Sequence, residues 1–214
     1  MKLLMENWRQ YLAEKEEPFQ TGVYQLFIPR ACPGEKCQPQ KLANTPEITN
    51  GPATLNKPRG GFWTSTAYKG DSDKWTSEWN DWMKYEMPRW MNPKGILLKV
   101  NTGNVFHIDT DEDVKALAEE FPRDEGKEIR GGGFRPGGSG PAIDFEAALK
   151  KYDGIHWGSP EGQEAKSWFG RDNMWDVEST VWRSNAFGSA LIEEGVVDVE
   201  QRETEEEDED ETPI

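Results

Sequence analysis

The sequence predicts an α+β fold, because short β-rich runs and short amphipathic helices follow one another along the chain. The chain has 214 residues, a length that fits a single domain with appendages. Nine of its ten tryptophans lie between residues 63 and 182, and this region is the predicted folded body. Large aromatic side chains bury much surface each, so a chain with only 35% hydrophobic residues can build a core there.

The first half of the body is predicted to contain two strands and one helix. Residues 23–28 (VYQLFI) form an apolar run that ends before a proline, and residues 61–66 (GFWTST) form a β-rich run that begins at a pair of glycines. The segment from residue 30 to residue 61 is rich in proline, glycine and asparagine, which predicts a loop. Residues 77–85 place two tryptophans and a methionine on one helical face, and a proline ends the predicted helix.

The middle of the body carries a hairpin signal followed by a helix signal. Residues 96–100 and 105–108 are apolar runs on either side of residues 101–104, whose sequence NTGN is typical of a β-hairpin turn. Thr110 then begins a capping-box pattern, so we expect a helix that continues through Phe121.

The second half of the body is predicted to contain a loop, a helix and two strands. Residues 130–141 are glycine-rich but lack the pattern of a dinucleotide-binding or phosphate-binding loop, which favours a flexible loop. Residues 143–152 predict a short helix, and residues 152–157 predict a strand. Residues 175–182 predict a further strand, in which Glu178 stands between apolar neighbours.

The C-terminal segment, residues 198–214, has ten acidic residues against one arginine, a net charge of −9 within a total of −15. A block of like charges repels itself, so we expect a disordered acidic tail. A solvated tail is the simplest interpretation, and a mimic of nucleic-acid charge or a docking arm for a basic partner are the alternatives. The predicted organisation is therefore a short segment over residues 1–14, a single α+β domain over residues 15–197, and this tail.

Charge and hydropathy argue against two classes of partner. Direct binding to nucleic acid needs a basic surface, and the charge balance of this chain is acidic. No segment approaches the run of roughly 20 apolar residues that spans a membrane. We therefore expect neither nucleic acid nor a membrane as a direct partner.

Cysteines and histidines, which are typical zinc ligands, are few and scattered in this sequence. Cys32 and Cys37 lie in a loop without a second cysteine pair or nearby histidines, so we expect free thiols in a reducing cytoplasm. His107 and His156 fall in separate predicted strands and are interpreted as ordinary strand residues. The spaced aspartates before Val114 resemble a calcium loop, but that loop needs glycine where Val114 stands, which favours the helix cap. We expect no metal cofactor.

The first 14 residues, MKLLMENWRQYLAE, predict a short amphipathic helix. A helix of this length is marginal alone in water, so we expect it to become ordered on a partner. An ordinary N-terminal helix packed on the body is the alternative. A secretory signal is not expected, because charged residues interrupt the apolar run. The apolar stripe consists of Leu4, Trp8, Tyr11 and Leu12.

This N-terminal segment resembles the capsid-targeting peptides of internal head proteins in T-even-like tailed phages. Those peptides dock on the prohead scaffold and are removed by the maturation protease after a Leu/Ile-x-Glu sequence. Residues 12–14 are Leu-Ala-Glu, so the resemblance implies cleavage after Glu14. It also implies that the prohead scaffold and the maturation protease are partners, and that the protein resides in the virion capsid interior and then in the host cytoplasm.

The body carries a second resemblance, which spans roughly residues 22–187. Tyr152–Ile155 (YDGI), followed by Glu178 at the head of a β-rich run, resembles the C-terminal half of ADP-ribosyltransferases. Phe62–Thr66 (FWTST), followed by a tryptophan-bearing helix, is similar to the strand that packs against the nicotinamide end of NAD in this family. The resemblance implies an ADP-ribosyltransferase-like split antiparallel β-sandwich with short flanking helices.

Members of this family bear an arginine or a histidine on the first strand, where it grips the cofactor. The matching strand in this chain is Val23–Gln25, and Gln25 occupies the place of the charged residue. Arg30 or Arg59, each from a loop, is a substitute anchor in this interpretation.

The resemblance also implies a role for each site residue. Glu178 would be the catalytic residue, binding the ribose 2′-hydroxyl of NAD and stabilising an oxocarbenium-like transition state. Ser65 and its neighbouring threonines would orient the ribose, and Trp63 or Tyr68 would stack on nicotinamide. The alternatives are an outward-facing strand position for Glu178 and plain core positions for Trp63 and Trp182. The implied cofactor-binding residues are Tyr24, Arg59, Trp63, Thr64, Ser65 and Thr66.

Together, the two resemblances imply a phage effector that is packaged in the head, injected, and transfers ADP-ribose from NAD, its substrate, to a host protein. The alternative is a non-enzymatic internal head protein whose aromatic-rich body binds a host target or packs in the prohead. A third interpretation is a cytoplasmic host-takeover protein, which would not be cleaved after Glu14.

Overall fold

The computed structural model describes residues 22–29, 47–51, 57–70, 72–101, 104–123, 143–158, 177–183 and 186–201. These ranges contain a mixture of helices and strands with one large mixed sheet, which confirms the predicted α+β class. The strands are β1 (Tyr24–Phe27), β2 (Thr49–Asn50), β3 (Pro58–Arg59), β4 (Phe62–Thr66), β5 (Tyr68–Lys69), β6 (Trp75–Thr76), β7 (Lys94–Val100), β8 (Val105–Ile108), β9 (Gly154–Trp157), β10 (Ser179–Trp182) and β11 (Leu191–Asp198). The helices are α1 (Glu78–Glu86), α2 (Asp111–Glu120) and α3 (Phe145–Lys151), and a 3₁₀ turn covers Pro88–Trp90.

Seven strands form one sheet in the order β11-β7-β1-β4-β10-β9-β8. All neighbouring pairs in this sheet are antiparallel except β8 and β9, which run parallel. The remaining strands form two small antiparallel pairs, β2 with β3 and β5 with β6. Because β4 lies between β1 and β10, segments that are far apart in the sequence are neighbours at the centre of the sheet.

The sheet has an apolar core on each of its two faces. On one face, Leu117 of α2 and Phe145 of α3 belong to a cluster that includes Val181. On the other face, Leu98 and Trp182 belong to a second cluster. Successive residues of a strand point to opposite faces, which explains why Val181 and its neighbour Trp182 belong to different clusters. Each fully buried large apolar side chain stabilises the fold by roughly 1.5–3 kcal/mol.

The three helices begin at side chains that cap them. The Thr110 hydroxyl accepts a hydrogen bond from the Asp113 N–H at 3.3 Å, and the Asp113 carboxylate accepts one from the Thr110 N–H at 2.8 Å. This capping box confirms the predicted start of α2. Ser77 and Asp144 likewise accept hydrogen bonds from the first turns of α1 and α3.

The predicted hairpin between residues 96–100 and 105–108 is wrong. Both strands exist, but β7 pairs with β1 and β11, whereas β8 pairs with β9 at the far end of the sheet. Both hydrogen-bonding edges of β7 are therefore occupied, and no edge is left for β8. The burial of β7 fits this central position, because four consecutive residues, 95–98, are buried on both faces.

The C-terminal end of the body differs from the prediction. Strand β11, which was not predicted, runs to Asp198, where the tail was expected to begin. The Glu200 N–H then donates to the Trp75 carbonyl at 2.9 Å. Residues 198–201 therefore belong to the body, and residues 202–214 lie outside the described ranges.

Polar side chains around Glu200 join this end of the chain to α1; we call them the Glu200 cluster. Lys84 Nζ lies 2.9 Å from Glu200 Oε2 and 2.7 Å from Asp81 Oδ1. Ser72 Oγ donates to Glu200 Oε1 at 3.1 Å, and Asn80 Nδ2 donates to the Glu200 carbonyl at 2.9 Å. The hydrogen bond from Lys84 lowers the pKa of the Glu200 carboxyl, so this carboxylate is ionised at neutral pH.

Several predicted features lie outside the described residues. They are the N-terminal helix with its cleavage point at Glu14, the two cysteines, Arg30 and the glycine-rich loop. Among the helices that the structure describes, none is long and apolar enough to cross a membrane.

Candidate active site

The candidate site lies where β4 changes partners. Phe62–Thr64 pair with β10 on one side, whereas Ser65 and Thr66 pair with β1 on the other. Glu178 immediately precedes β10, so its side chain lies beside the last two residues of β4. The structure thereby brings together residues that are more than a hundred positions apart in the sequence.

Three neutral donors from β4 hold the Glu178 carboxylate. Ser65 Oγ donates to Glu178 Oε2. The Thr66 N–H donates to the same oxygen at 2.9 Å, and Thr66 Oγ1 donates to Oε1 at 2.9 Å. Both carboxylate oxygens are therefore fixed by two adjacent residues of one strand, which restricts rotation of the side chain.

Glu178 is buried and has no counter-ion among the described lysines and arginines. Only 5% of the residue is exposed, so the alternative of an outward-facing position is wrong. Burial raises the pKa of the carboxyl, although the hydrogen bonds from Ser65 and Thr66 act in the opposite direction. The carboxylate of Glu78 adds to the increase. A carboxyl with a raised pKa is a better proton acceptor near neutral pH than a solvated one.

A chain of buried hydrogen bonds, which we call the relay, leads to this carboxylate. Trp182 Nε1 donates to Thr64 Oγ1 at 2.7 Å, and Thr64 Oγ1 donates to Gln25 Oε1 at 2.7 Å. Gln25 Nε2 then donates to Thr66 Oγ1 at 3.1 Å, and this hydroxyl donates to Glu178. Every donor in the relay points toward the carboxylate, so each bond polarises the next and stabilises the negative charge.

Gln25 is a link within the relay. It is 0% exposed, and its amide oxygen and nitrogen are bonded to Thr64 and Thr66 respectively. Gln25 on β1 pairs with Thr66 on β4. Both polar atoms of this amide are therefore used in hydrogen bonds within the chain.

His156 approaches the carboxylate from β9. Its Nδ1 lies 2.9 Å from Thr180 Oγ1 and 3.5 Å from Glu178 Oε1. The ring of His107, on the adjacent β8, lies 5.0 Å away between centroids. Burial lowers the pKa of His156 to about 3, with a smaller contribution from His107. The imidazole is therefore neutral at physiological pH, and its contact with Glu178 is not an ion pair.

Two predicted cofactor-binding residues lie away from Glu178. The Trp63 side chain packs against the core formed by α2 and α3, and its indole N–H donates to the Gly60 carbonyl at 2.8 Å. Arg59 belongs to β3, which precedes β4. The five residues of β4 span roughly 13 Å, so Arg59 lies at the opposite end of this strand from Thr66.

The other predicted aromatic residues lie nearer the site. Tyr24 precedes Gln25 on β1, and its ring lies 5.4 Å from the Trp75 ring. Tyr68 follows Thr66 by two residues, is 43% exposed, and donates a hydrogen bond to Asp81 Oδ2. Tyr68 is thus an exposed aromatic residue that follows the end of β4 closely in the sequence.

The relay and the contacts of His156 were missed in the sequence. A partial signal was present in GIHW (β9), where His156 stands between two apolar residues and therefore faces away from them, whereas STVW (β10) shows no such alternation. The register that puts His156 opposite Thr180 depends on long-range pairing, which alternation alone does not determine.

Comparison of the chain with protein-family models, with curated proteins and with solved structures gave no match. Within the described ranges, no group of three or more histidine, cysteine, aspartate or glutamate side chains is placed to hold a metal ion.

Proposed function

We propose that the protein transfers ADP-ribose from NAD to a host protein, with Glu178 as the catalytic carboxylate. The observation that supports this proposal is the convergence of Ser65 and Thr66 on Glu178. These are the segments that resemble the Ser/Thr strand and the catalytic glutamate of ADP-ribosyltransferases, and they meet in space although they are distant in sequence.

The proposed chemistry follows from the way the carboxylate is held. The bond between the ribose C1′ and the nicotinamide nitrogen breaks, the electron pair leaves with neutral nicotinamide, and positive charge develops on the ribose. Glu178 accepts a hydrogen bond from the ribose 2′-hydroxyl and stabilises that charge. A nucleophilic side chain of the host protein then attacks C1′, and the proton that this nucleophile loses passes to solvent. Because no lysine or arginine among the described residues neutralises Glu178, its full negative charge is available to the transition state.

The test is incubation of the full-length protein with labelled NAD and a host lysate. We expect the parent to label a host protein and Glu178→Gln to lose at least about 100-fold in transfer, since a preorganised electrostatic contact contributes about 10²–10³ to rate. Glu193→Gln, an exposed change on β11, is the matched control and is expected to retain activity. If the parent releases no nicotinamide and labels no protein, the enzymatic proposal is wrong.

A non-enzymatic role in the phage head or in binding a host target is the second candidate. The observation that favours it is the saturation of the site by the chain's own groups, because Gln25 is fully buried and both oxygens of Glu178 already accept hydrogen bonds. This candidate predicts no transfer in the same experiment. It also predicts that the parent and Glu178→Gln bind a shared host or prohead partner equally.

Packaging in the capsid is proposed from the N-terminal segment. Its test is mass spectrometry of mature virions, in which we expect a chain that begins at Lys15 after cleavage behind Glu14. Recovery of the chain with Met1 in virions would contradict cleavage. Its absence from virions, together with synthesis in infected cells, would support the cytoplasmic host-takeover alternative.

A further inference from the structure

The two oxygens of the Glu178 carboxylate have different surroundings. Oε2 accepts from Ser65 Oγ and from the Thr66 N–H. Oε1 accepts from Thr66 Oγ1 at 2.9 Å and, at 3.2 Å, from the same Thr66 N–H, and His156 Nδ1 lies 3.5 Å from it. Donors from β4 therefore reach both oxygens, and Oε1 is the one that the His156 imidazole also approaches.

We infer that His156 is a positioning residue for Glu178, which it orients through an Nδ1–H placed between Thr180 Oγ1 and Glu178 Oε1. The contact itself is independent of the reaction. Its consequence for catalysis rests on the proposed transferase function.

The first step of the argument concerns the tautomer of the ring. A neutral imidazole has one N–H and one nitrogen lone pair. If Nδ1 carried the lone pair, that lone pair would lie 3.5 Å from a carboxylate oxygen, which is a repulsive arrangement. If Nδ1 carries the proton, it donates to Thr180 Oγ1 at 2.9 Å and its positive end also faces Oε1. An ionised Glu178 therefore favours the Nδ1–H tautomer of His156.

The second step concerns rigidity. Register pairs His156 with Thr180 on β10 and with His107 on β8. Thr180 is fully buried, and the His107 ring lies 5.0 Å from the His156 ring. The imidazole is therefore held on both sides by neighbouring strands, and its position next to Oε1 is fixed. Because the imidazole and Thr66 both lie beside Oε1, they limit the directions from which a substrate hydroxyl can reach that oxygen.

Two substitutions of His156 distinguish the effect of its Nδ1–H donor from the effect of the volume of its ring. His156→Asn places an amide near the position of Nδ1 and preserves a donor toward Thr180 and Glu178. His156→Leu removes the donor and keeps an apolar side chain in the buried site. His107→Asn is the control. It changes a residue that packs against the His156 ring, and it leaves the contact between His156 Nδ1 and Glu178 in place.

The decisive measurement is a two-bond ¹H–¹⁵N correlation spectrum of the imidazole groups of the full-length protein at neutral pH. The chain has two histidines, so the spectrum contains two ring systems, and His107→Asn assigns them. We expect His156 to be the Nδ1–H tautomer, and we expect its nitrogen shifts to change in Glu178→Gln. An Nε2–H tautomer, or nitrogen shifts that are the same in Glu178→Gln, would overturn the inference.

Kinetics then measures the consequence for the reaction. In His156→Leu we expect kcat for nicotinamide release to fall about 10- to 100-fold while KM for NAD changes less than about threefold, since misplacing a catalytic group affects the chemical step. His156→Asn is expected to recover most of kcat. Equal kcat values in the parent and in His156→Leu would refute the positioning role. If the parent itself releases no nicotinamide, the proposed function fails, and the spectrum alone decides the role of His156.

Discussion

Glu178 and Glu200 are held by distant side chains in opposite ways. Glu178 is 5% exposed and is bonded to neutral hydroxyl and amide donors, whereas Glu200 is partly exposed and is paired with Lys84. Burial raises the pKa of Glu178, and the hydrogen bond from Lys84 lowers that of Glu200. The charge of Glu200 is neutralised by a neighbouring cation, so this carboxylate stabilises the fold. The charge of Glu178 is solvated only by neutral dipoles and remains uncompensated, which is the arrangement that the proposed cationic transition state requires.

The sharpest way to break this comparison is to place a cation in the relay. We expect Gln25→Arg to lower the free energy of unfolding by about 3–5 kcal/mol, because a guanidinium would be buried at a 0% exposed position and both threonine contacts would be lost. Urea denaturation at pH 7 measures the change, and Gln25→Met is the neutral control. A Gln25→Arg variant as stable as the parent would show that this buried site accepts a cation.

Removal of each carboxylate tests the difference directly. Glu178→Leu removes the carboxylate that accepts from the Thr66 N–H and hydroxyl, whereas Ser65 Oγ keeps the backbone carbonyl of residue 178 as an acceptor at 3.1 Å, so we expect a loss of about 2–4 kcal/mol. Glu200→Leu removes a partly exposed ion pair, and its expected cost is below about 1 kcal/mol. Chemical denaturation of both variants gives the two values. Equal losses would mean that the Glu200 cluster contributes as much as the buried site.

The dependence of the free energy of unfolding on pH distinguishes the region around Glu178 and His156 from the Glu200 cluster. The pKa of His156 is about 3 in the folded protein against 6.5 as its ordinary value, so the unfolded chain binds more protons between these values and stability falls as pH decreases. From pH 7.5 to pH 5 the expected loss is about 2 kcal/mol. Glu178 opposes this trend, because its pKa is raised and the folded state takes up a proton first as the pH falls.

Comparison with His156→Asn isolates the histidine contribution. Glu200 and Asp81 have lowered pKa values, so they lose their contributions to stability below their ordinary range and not between pH 7.5 and pH 5. We therefore expect the parent to become less stable over this interval and the variant to change less. Parallel curves for the two proteins would contradict a buried, neutral His156.

Local patterns predicted much of the secondary structure. The capping box at Thr110 identified the start of α2, because a cap depends on residues that are adjacent in sequence. The runs that became β1 and β4 were found from their apolar and β-branched residues. Strand β11 was missed, since its glutamates and Gly195 weaken the strand pattern and its long pairing with β7 stabilises it instead.

The site was predicted less completely than the strands. Motif resemblance selected Glu178, Ser65 and Thr66, which the structure brings together. It also selected Trp63, which packs against the core formed by α2 and α3, since a short motif does not specify which face of the strand is covered by helices. The role of Gln25 depends on the contacts of its amide with two threonines on another strand, and such contacts follow from register, which single-strand patterns do not determine.

The pairing of β11 with β7 has a consequence for how the chain folds during synthesis. Strand β11 is the last one described, and it covers one edge of a buried apolar strand made much earlier. While the ribosome is still adding the intervening residues, that edge has no partner from β11, and an exposed strand edge is a template for aggregation. Distant pairings also slow folding, because the chain must close long loops before contacts form. We therefore expect translation products that stop before Leu191 to depend on chaperones or to aggregate.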